Sequence, residues 1–141
     1  MADSQWQHSV EHQSTASPET LWRYFADVPG WPRWNAGIER ITIDGPFAAG
    51  TEFLMTPPGM DTLRSRLVDV RENERFVDET RLGDIVVRVE HRLERMAGGH
   101  TRIVYAIAVD GPDAPEVGQA ISADFPDVMQ TLARLAESET R

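Results

Sequence analysis

Ser14 to Asn35 read STASPETLWRYFADVPGWPRWN, and Ala123 to Glu137 read ADFPDVMQTLARLAE. The first stretch leaves a strand, enters a short helix and ends in a tryptophan-rich turn. Ser17 stands as N-cap before Pro18 at the first helical position and Glu19 in the first turn, and Leu21, Trp22 and Phe25 form a buried stripe. This helix ends near Asp27, after which Pro29, Gly30 and Pro32 hold Trp31 and Trp34 on a single tight turn. Through the second stretch, counted from Ile121, the residues Phe125, Val128, Leu132 and Leu135 recur at steps of four, three, four and three, one helical stripe. Pro126 lies inside the stripe without an N–H to donate, so the helix either kinks there or starts a stable segment at Asp124 to Pro126. The run GPDAPEVG that precedes it, residues 111–118, reads as a loop.

Between these two segments the chain alternates. Trp6 to Ser14 is a strand with Trp6, His8, Val10 and His12 on one face and Gln7, Ser9, Glu11 and Gln13 on the other. Six more strands are expected, at about 38–43, 51–55, 62–70, 75–82, 85–96 and 101–109. Asp44-Gly45-Pro46, Pro57-Pro58-Gly59, Glu72-Asn73-Glu74, Gly83-Asp84 and Gly98-Gly99 separate them with turn chemistry, and the short spacings favour antiparallel hairpins. On one of the longest strands Ile85, Val87, Val89, His91 and Leu93 face the interior, with Arg88, Glu90, Arg92 and Glu94 opposite. Together with Arg64, Arg66, Glu79 and Arg81 these charges form a cross-strand mesh on the outer face. A register slip of one residue in 62–70 would instead turn Arg64 and Arg66 inward, where they could bind an anionic head group.

The chain has 141 residues, a length that fits one domain burying roughly 70% of its unfolded surface, with an ordered core at about 6–137 and disorder confined to the ends. A net charge of −9 repels phosphate backbones and anionic membrane surfaces, so nucleic acid is not an expected partner. The absence of cysteine removes disulfides, thiolate nucleophiles and thiolate metal sites. The opening MADSQWQHSV lacks a basic region followed by an apolar one, so neither a signal peptide nor a membrane anchor is read and the expected address is the cytoplasm. Glycine-rich phosphate loops, G-x-S-x-G and H-E-x-x-H are all missing, and no cofactor is expected.

The order of strand, two short helical pieces, six antiparallel strands and a closing helix resembles the START-like helix-grip fold, also called the SRPBCC or polyketide cyclase/dehydrase and lipid-transport superfamily. ASPETLWRYFADVPGWPRWN is similar to the family's opening, with its small residue, proline, acidic residue, helix tryptophan and W-P-x-W-N turn, and ADFPDVMQTLARLAE is similar to the closing helix of its bacterial members. The resemblance runs from about Trp6 to Glu137. It implies an α+β fold in which a curved seven-stranded antiparallel sheet wraps a long C-terminal helix, with two short helices between strands 1 and 2. It also implies a hollow between sheet and helix, which relatives use for lipids, hormones, polyketide intermediates or aromatic compounds.

His91 is the candidate for acid–base work, since it sits on the inner face beside Val89 and Leu93 and across from Tyr105, where desolvation would keep it neutral. Tyr105 shares a face with Ile103, Ile107 and Val109, so its hydroxyl needs an interior partner. Ser65, between Leu63 and Leu67, is another inward hydroxyl, with no His–Asp pair assigned to activate it. Trp34, Phe53, Met55, Phe125 and Met129 are the apolar candidates to touch a ligand, with Ser65, Leu67, Val89, His91 and Tyr105 beside them; Trp22, Trp31 and Met60 belong to the same apolar set, with Trp22 assigned to packing. A metal site is not expected. His8 and His12 are about 13 Å apart on a strand, and no carboxylate is assigned an inward position that could join His91.

Three readings follow. One is binding of a small hydrophobic or aromatic molecule in the cavity, with the C-terminal helix and the 31–35 and 57–60 loops at its entrance. A second is a cyclase, aromatase or dehydratase acting on a polyketide-like substrate, with His91 as base and Tyr105 as acid or oxyanion donor. The third is a protein-interaction module whose cavity is filled by side chains. The expected partner is a small hydrophobic ligand, without membrane insertion, for a monomer or weak homodimer.

Overall fold

The structure, a computed structural model, describes residues 4–139. The expectations for the extreme ends, including the reading of the first three residues, lie outside that range. Strand β1 (Gln5–Ser14) leads into helix α1 (Pro18–Ala26) and a 3-10 turn (Val28–Arg33). Strands β2 (Arg40–Ile43), β3 (Glu52–Thr56), β4 (Leu63–Arg71), β5 (Arg75–Leu82), β6 (Ile85–Arg95) and β7 (Thr101–Asp110) follow as a meander. Each pairs antiparallel with the next, and β1 closes on β7, giving the order β1-β7-β6-β5-β4-β3-β2. The strand expectations hold to within two residues at each end.

Local chemistry sets the helices. Ser17 Oγ accepts from the Thr20 N–H at 3.2 Å, and Pro18 opens α1, whose buried side is Leu21, Trp22, Tyr24 and Phe25. The following turn is fastened from inside, because Trp31 Nε1 donates to the Phe25 carbonyl at 2.9 Å. At the other end of the chain the structure corrects the loop expected over 111–118: helix α2 (Ala114–Ser122) begins there. Pro115 and Glu116 in its first turn are helix-start residues, and the Gly-Pro-Asp run just before them is the actual loop. Helix α3 (Phe125–Ser138) then starts afresh, with Pro126 in its first turn, so the proline marks a beginning rather than a kink inside one helix.

Gly118 shows why α2 can lie so close to the sheet. A Cβ at this position would come within 2.1 Å of the Trp6 ring, and the missing side chain lets the helix rest on β1. Helix α3 packs against β1 and α1, and Leu21, Phe25, Leu132 and Ala136 on these helices, with Ile103 on β7, lose all contact with solvent. Each large apolar side chain so buried contributes about 1.5–3 kcal/mol. A bulge between Leu67 and Asp69 shifts the β4–β5 register, and such an extra residue bends a strand and increases its twist. Arg64 and Arg66 stay outside, paired with Glu52 and Glu79, so the inward alternative for them is not adopted.

Candidate functional site

The concave face of β3 to β7 is not covered along its whole length. Between it and the α2–α3 junction lies a hollow of about 580 Å³, within the range of small-molecule sites. Trp34, Phe53, Met55, Ser65, Val89, His91, Tyr105 and Phe125 all line it, together with Trp31 and Met60. Leu67 and Met129 do not. Both are withdrawn into the packed core, Leu67 at 0% exposure beside the β4 bulge and Met129 at 1%. Trp22 likewise packs against Phe25 and Phe47 rather than the hollow.

The entrance is built from loops. Asn35 and Gly37 follow the 3-10 turn, Pro57 and Met60 follow β3, and Ala120 to Asp124 cross from α2 to α3. Met60 is 63% exposed, as a residue on a rim must be. Asn35 Oδ1 accepts the Gly37 N–H at 2.9 Å, and a Cβ on Gly37 would stand 3.1 Å from both that oxygen and Asp124 Oδ2. The glycine thus leaves room for the Asp124 carboxyl at the mouth, where partial desolvation raises its pKa.

Strand register assembles the floor. His91 lies opposite Phe76 on one side and Tyr105 on the other. Its ring stacks on Phe76 at 4.0 Å between centroids and meets Tyr105 edge-on at 4.6 Å. The Phe76 carbonyl is 3.3 Å from His91 Nδ1; a carbonyl only accepts, so Nδ1 carries the proton and donates. Nε2 is left as a bare lone pair facing the hollow's polar side. Desolvation lowers the imidazole pKa to about 3, which keeps the ring neutral.

Asp78 faces that lone pair, its Oδ2 at 4.0 Å from Nε2. This overturns the expectation that no carboxylate stands inward beside His91. Burial pushes the Asp78 pKa up to about 7, so near neutrality the carboxyl is divided between acid and carboxylate. Both side chains line the hollow, with only 15% and 13% of their surface accessible. The gap is too long for a direct hydrogen bond and suits a bridging donor.

Tyr105 completes the floor. Its hydroxyl is buried without a hydrogen-bond partner among the described residues, and desolvation followed by the Asp78 charge raises its pKa, so it remains a phenol. Ser65 and Thr80 satisfy each other at 2.6 Å on neighbouring strands, which leaves the serine hydroxyl a polar lining group and no activated nucleophile. Among the described residues no group of three metal-ligating side chains could hold an ion. His8 is exposed on β1, two strands away from the β6 that carries His91.

Sequence reasoning missed Asp78, Thr80 and Asp124, while Asn35 lies in the 31–35 loop it placed at the entrance. The signal for Asp78 was present: the alternation that sends Glu79 and Arg81 outward sends Asp78 inward with Phe76 and Thr80. Asp124 had no such signal, since its place depends on how two helices meet.

Known proteins supply context for this geometry. The family model described as polyketide cyclase / dehydrase and lipid transport matches residues 5–137. No curated protein matches the chain in sequence. Among solved structures, the ZhuI aromatase/cyclase from Streptomyces sp. R1128 superposes with a TM-score of 0.83 at 14% identity, over 97% of this chain and 96% of that one. A Thalictrum flavum norcoclaurine synthase point mutant, in complex with a transition-state analogue, gives 0.79 at 11% identity, over 97% of each chain. The di-domain aromatase/cyclase StfQ of the steffimycin biosynthetic pathway gives 0.80 at 12% identity, with 96% of this chain on 52% of that one. At these identities the likeness is one of fold. No helix among the described residues is long and apolar enough to cross a membrane.

Proposed function

We propose, for a chain that belongs to the polyketide cyclase/dehydrase and lipid-transport family, that it binds one small, largely apolar molecule in the hollow between the sheet and the α2–α3 junction. The observation that carries this reading is the 580 Å³ hollow itself, lined mainly by rings and aliphatic side chains with Asp78 and His91 on its wall. Removing the guest's surface from water contributes about 25 cal/mol per Å². A space of this size disfavours the interaction module, which requires an interior closed by side chains.

The test is native mass spectrometry of the purified protein, with extraction of whatever co-purifies, alongside titration with the neutral apolar dye Nile red. A stoichiometric guest or saturable dye binding is expected. Ala120→Trp, placed on the exposed rim, should fold normally and block both. Saturable binding that Ala120→Trp leaves intact would place the guest elsewhere and refute the reading.

Asp78 and His91 favour a second reading. A carboxyl divided between acid and carboxylate near pH 7, with a neutral imidazole 4.0 Å away as hydrogen-bond acceptor, can both give and take a proton in one dry site. In a cyclase, aromatase or dehydratase, Asp78 would take and return the proton, His91 Nε2 would accept a hydrogen bond from the substrate, and Tyr105 would lie beside the reacting carbons. Asp78→Asn would then abolish turnover of a polyketide-like substrate while retaining its binding.

A further inference from the structure

We infer that the molecule held in this hollow carries a protonated amine, set between Asp78 and His91 Nε2 with the rest of its body among the aromatic rings. The inference rests on the binding reading above and adds the chemical class of the guest. It begins from the ionisable groups on the wall. These are Asp78, His91, Tyr105 and Asp124; no lysine or arginine lines the hollow among the described residues. A carboxylate, sulfate or phosphate on the guest would therefore be desolvated beside carboxyl groups with no cation to receive it.

Hydrogen-bonding roles point the same way. His91 Nε2 can only accept, because Nδ1 already donates to the Phe76 carbonyl. Asp78 in its ionised form only accepts. An imidazole lone pair and a carboxylate thus face each other across 4.0 Å with no donor between them among the described residues. A ligand carbonyl would leave the imidazole lone pair unpaired, whereas an ammonium brings several N–H donors and no acceptor. It would also hold Asp78 ionised, removing the ambiguity of a carboxyl poised near neutrality.

The rings supply the remaining attraction. Trp31, Trp34, Phe76, Tyr105 and Phe125 line the same space, and aromatic faces attract cations while their edges pack apolar carbon. Asp124 at the mouth and a net charge of −9 enrich cations at the entrance.

Three probes that share one skeleton test this: naphthylethylamine, naphthylethanol and naphthylacetate, each titrated calorimetrically into the full-length protein near neutral pH, with Nile red as a separate probe of the hollow. The amine should bind at least about tenfold more tightly than the alcohol, and the carboxylate most weakly of the three. In Asp78→Asn the ratio of amine to alcohol affinity should fall to within about threefold of one. An alcohol or carboxylate that binds as tightly as the amine, or an amine preference that survives Asp78→Asn, would overturn the inference and leave the binding reading standing. Failure of all three probes while Nile red binds would do the same. Failure of Nile red as well would remove the binding reading and this inference together.

Discussion

Asp78 and Glu79 are neighbours in sequence and opposites in environment. Glu79 points to the convex face, where it is 7% exposed and ringed by Arg88 at 2.8 Å, Arg81 at 3.7 Å and Arg66 at 3.9 Å. Asp78 points to the concave face, where it meets a neutral imidazole at 4.0 Å and no guanidinium. One step along a strand therefore separates a carboxylate whose charge is fully answered from one whose charge is left for a visitor. Convex-face charges are answered by cross-strand neighbours that the register brings automatically. On the concave face the same register brings Phe76, Leu67 and Val89, and burial without a counter-ion leaves the carboxyl poised.

The largest effect that sharpens this contrast is in pH dependence. In the unfolded chain, between about pH 4 and about 6.5, an aspartate is ionised and a histidine holds a proton. In the folded protein Asp78, with its pKa near 7, holds the proton and His91, with its pKa near 3, refuses it. The number of bound protons is then the same in both states, and the pair adds no slope to stability over that window. Single substitutions expose the halves. With His91→Gln, folding retains a proton on Asp78 that the unfolded chain has lost, so stability should fall as pH rises from about 4 to about 7. With Asp78→Asn, the unfolded chain binds a proton that His91 excludes, so stability should fall as pH drops from about 6.5 toward about 3. Each change should reach the order of 2–3 kcal/mol across its window, read from urea midpoints at a series of pH values. Parallel profiles for the two variants would show that the carboxyl and imidazole are not poised as described.

How far the contrast was legible in sequence follows from the same geometry. Period-two alternation places whole faces, so the strands, the outward charges and the inward His91, Tyr105 and Ser65 could be read directly. Alternation gave Asp78 too, yet a carboxylate among strand residues is easily taken for a surface group, and only its lack of a counter-ion in three dimensions singles it out. Leu67 and Met129 mark the other limit. Their apolar character foretold burial, but whether a buried side chain fills the core or borders a void depends on how far apart sheet and helix stand. The α2 helix was hidden by its Gly111 and Pro112 neighbours, which suggest a loop longer than the one that forms.

A second, smaller effect tests the convex side. Glu79→Gln removes the charge on which three arginines converge and leaves their mutual repulsion, which should lower stability by about 1–2 kcal/mol. Added salt should shrink that loss by screening the guanidinium charges. At a pH above 8, Asp78→Asn should go the other way and stabilise the empty protein, since it removes a desolvated carboxylate. Denaturant midpoints of the two variants, compared in one buffer, should therefore move in opposite directions. A shared direction would mean that counter-charge does not distinguish the two faces.

The smallest effect concerns how redundant the convex arrangement is. Arg81 is 72% exposed and 3.7 Å from Glu79, while Arg88 is closer and forms the shorter contact. Exposed pairs of this kind contribute little, because a flexible side chain must be held in place and solvent screens the charge. Arg81→Gln should therefore change stability by less than about 0.5 kcal/mol, and Arg88→Gln by more, since Arg88 also donates from Nε to Glu79 at 2.8 Å. Equal and large losses for the two would mean that the arginines act as one cooperative network. In that case the outer face would be as specifically built as the inner one, and the asymmetry between Asp78 and Glu79 would lie in what each face binds rather than in how tightly it is made.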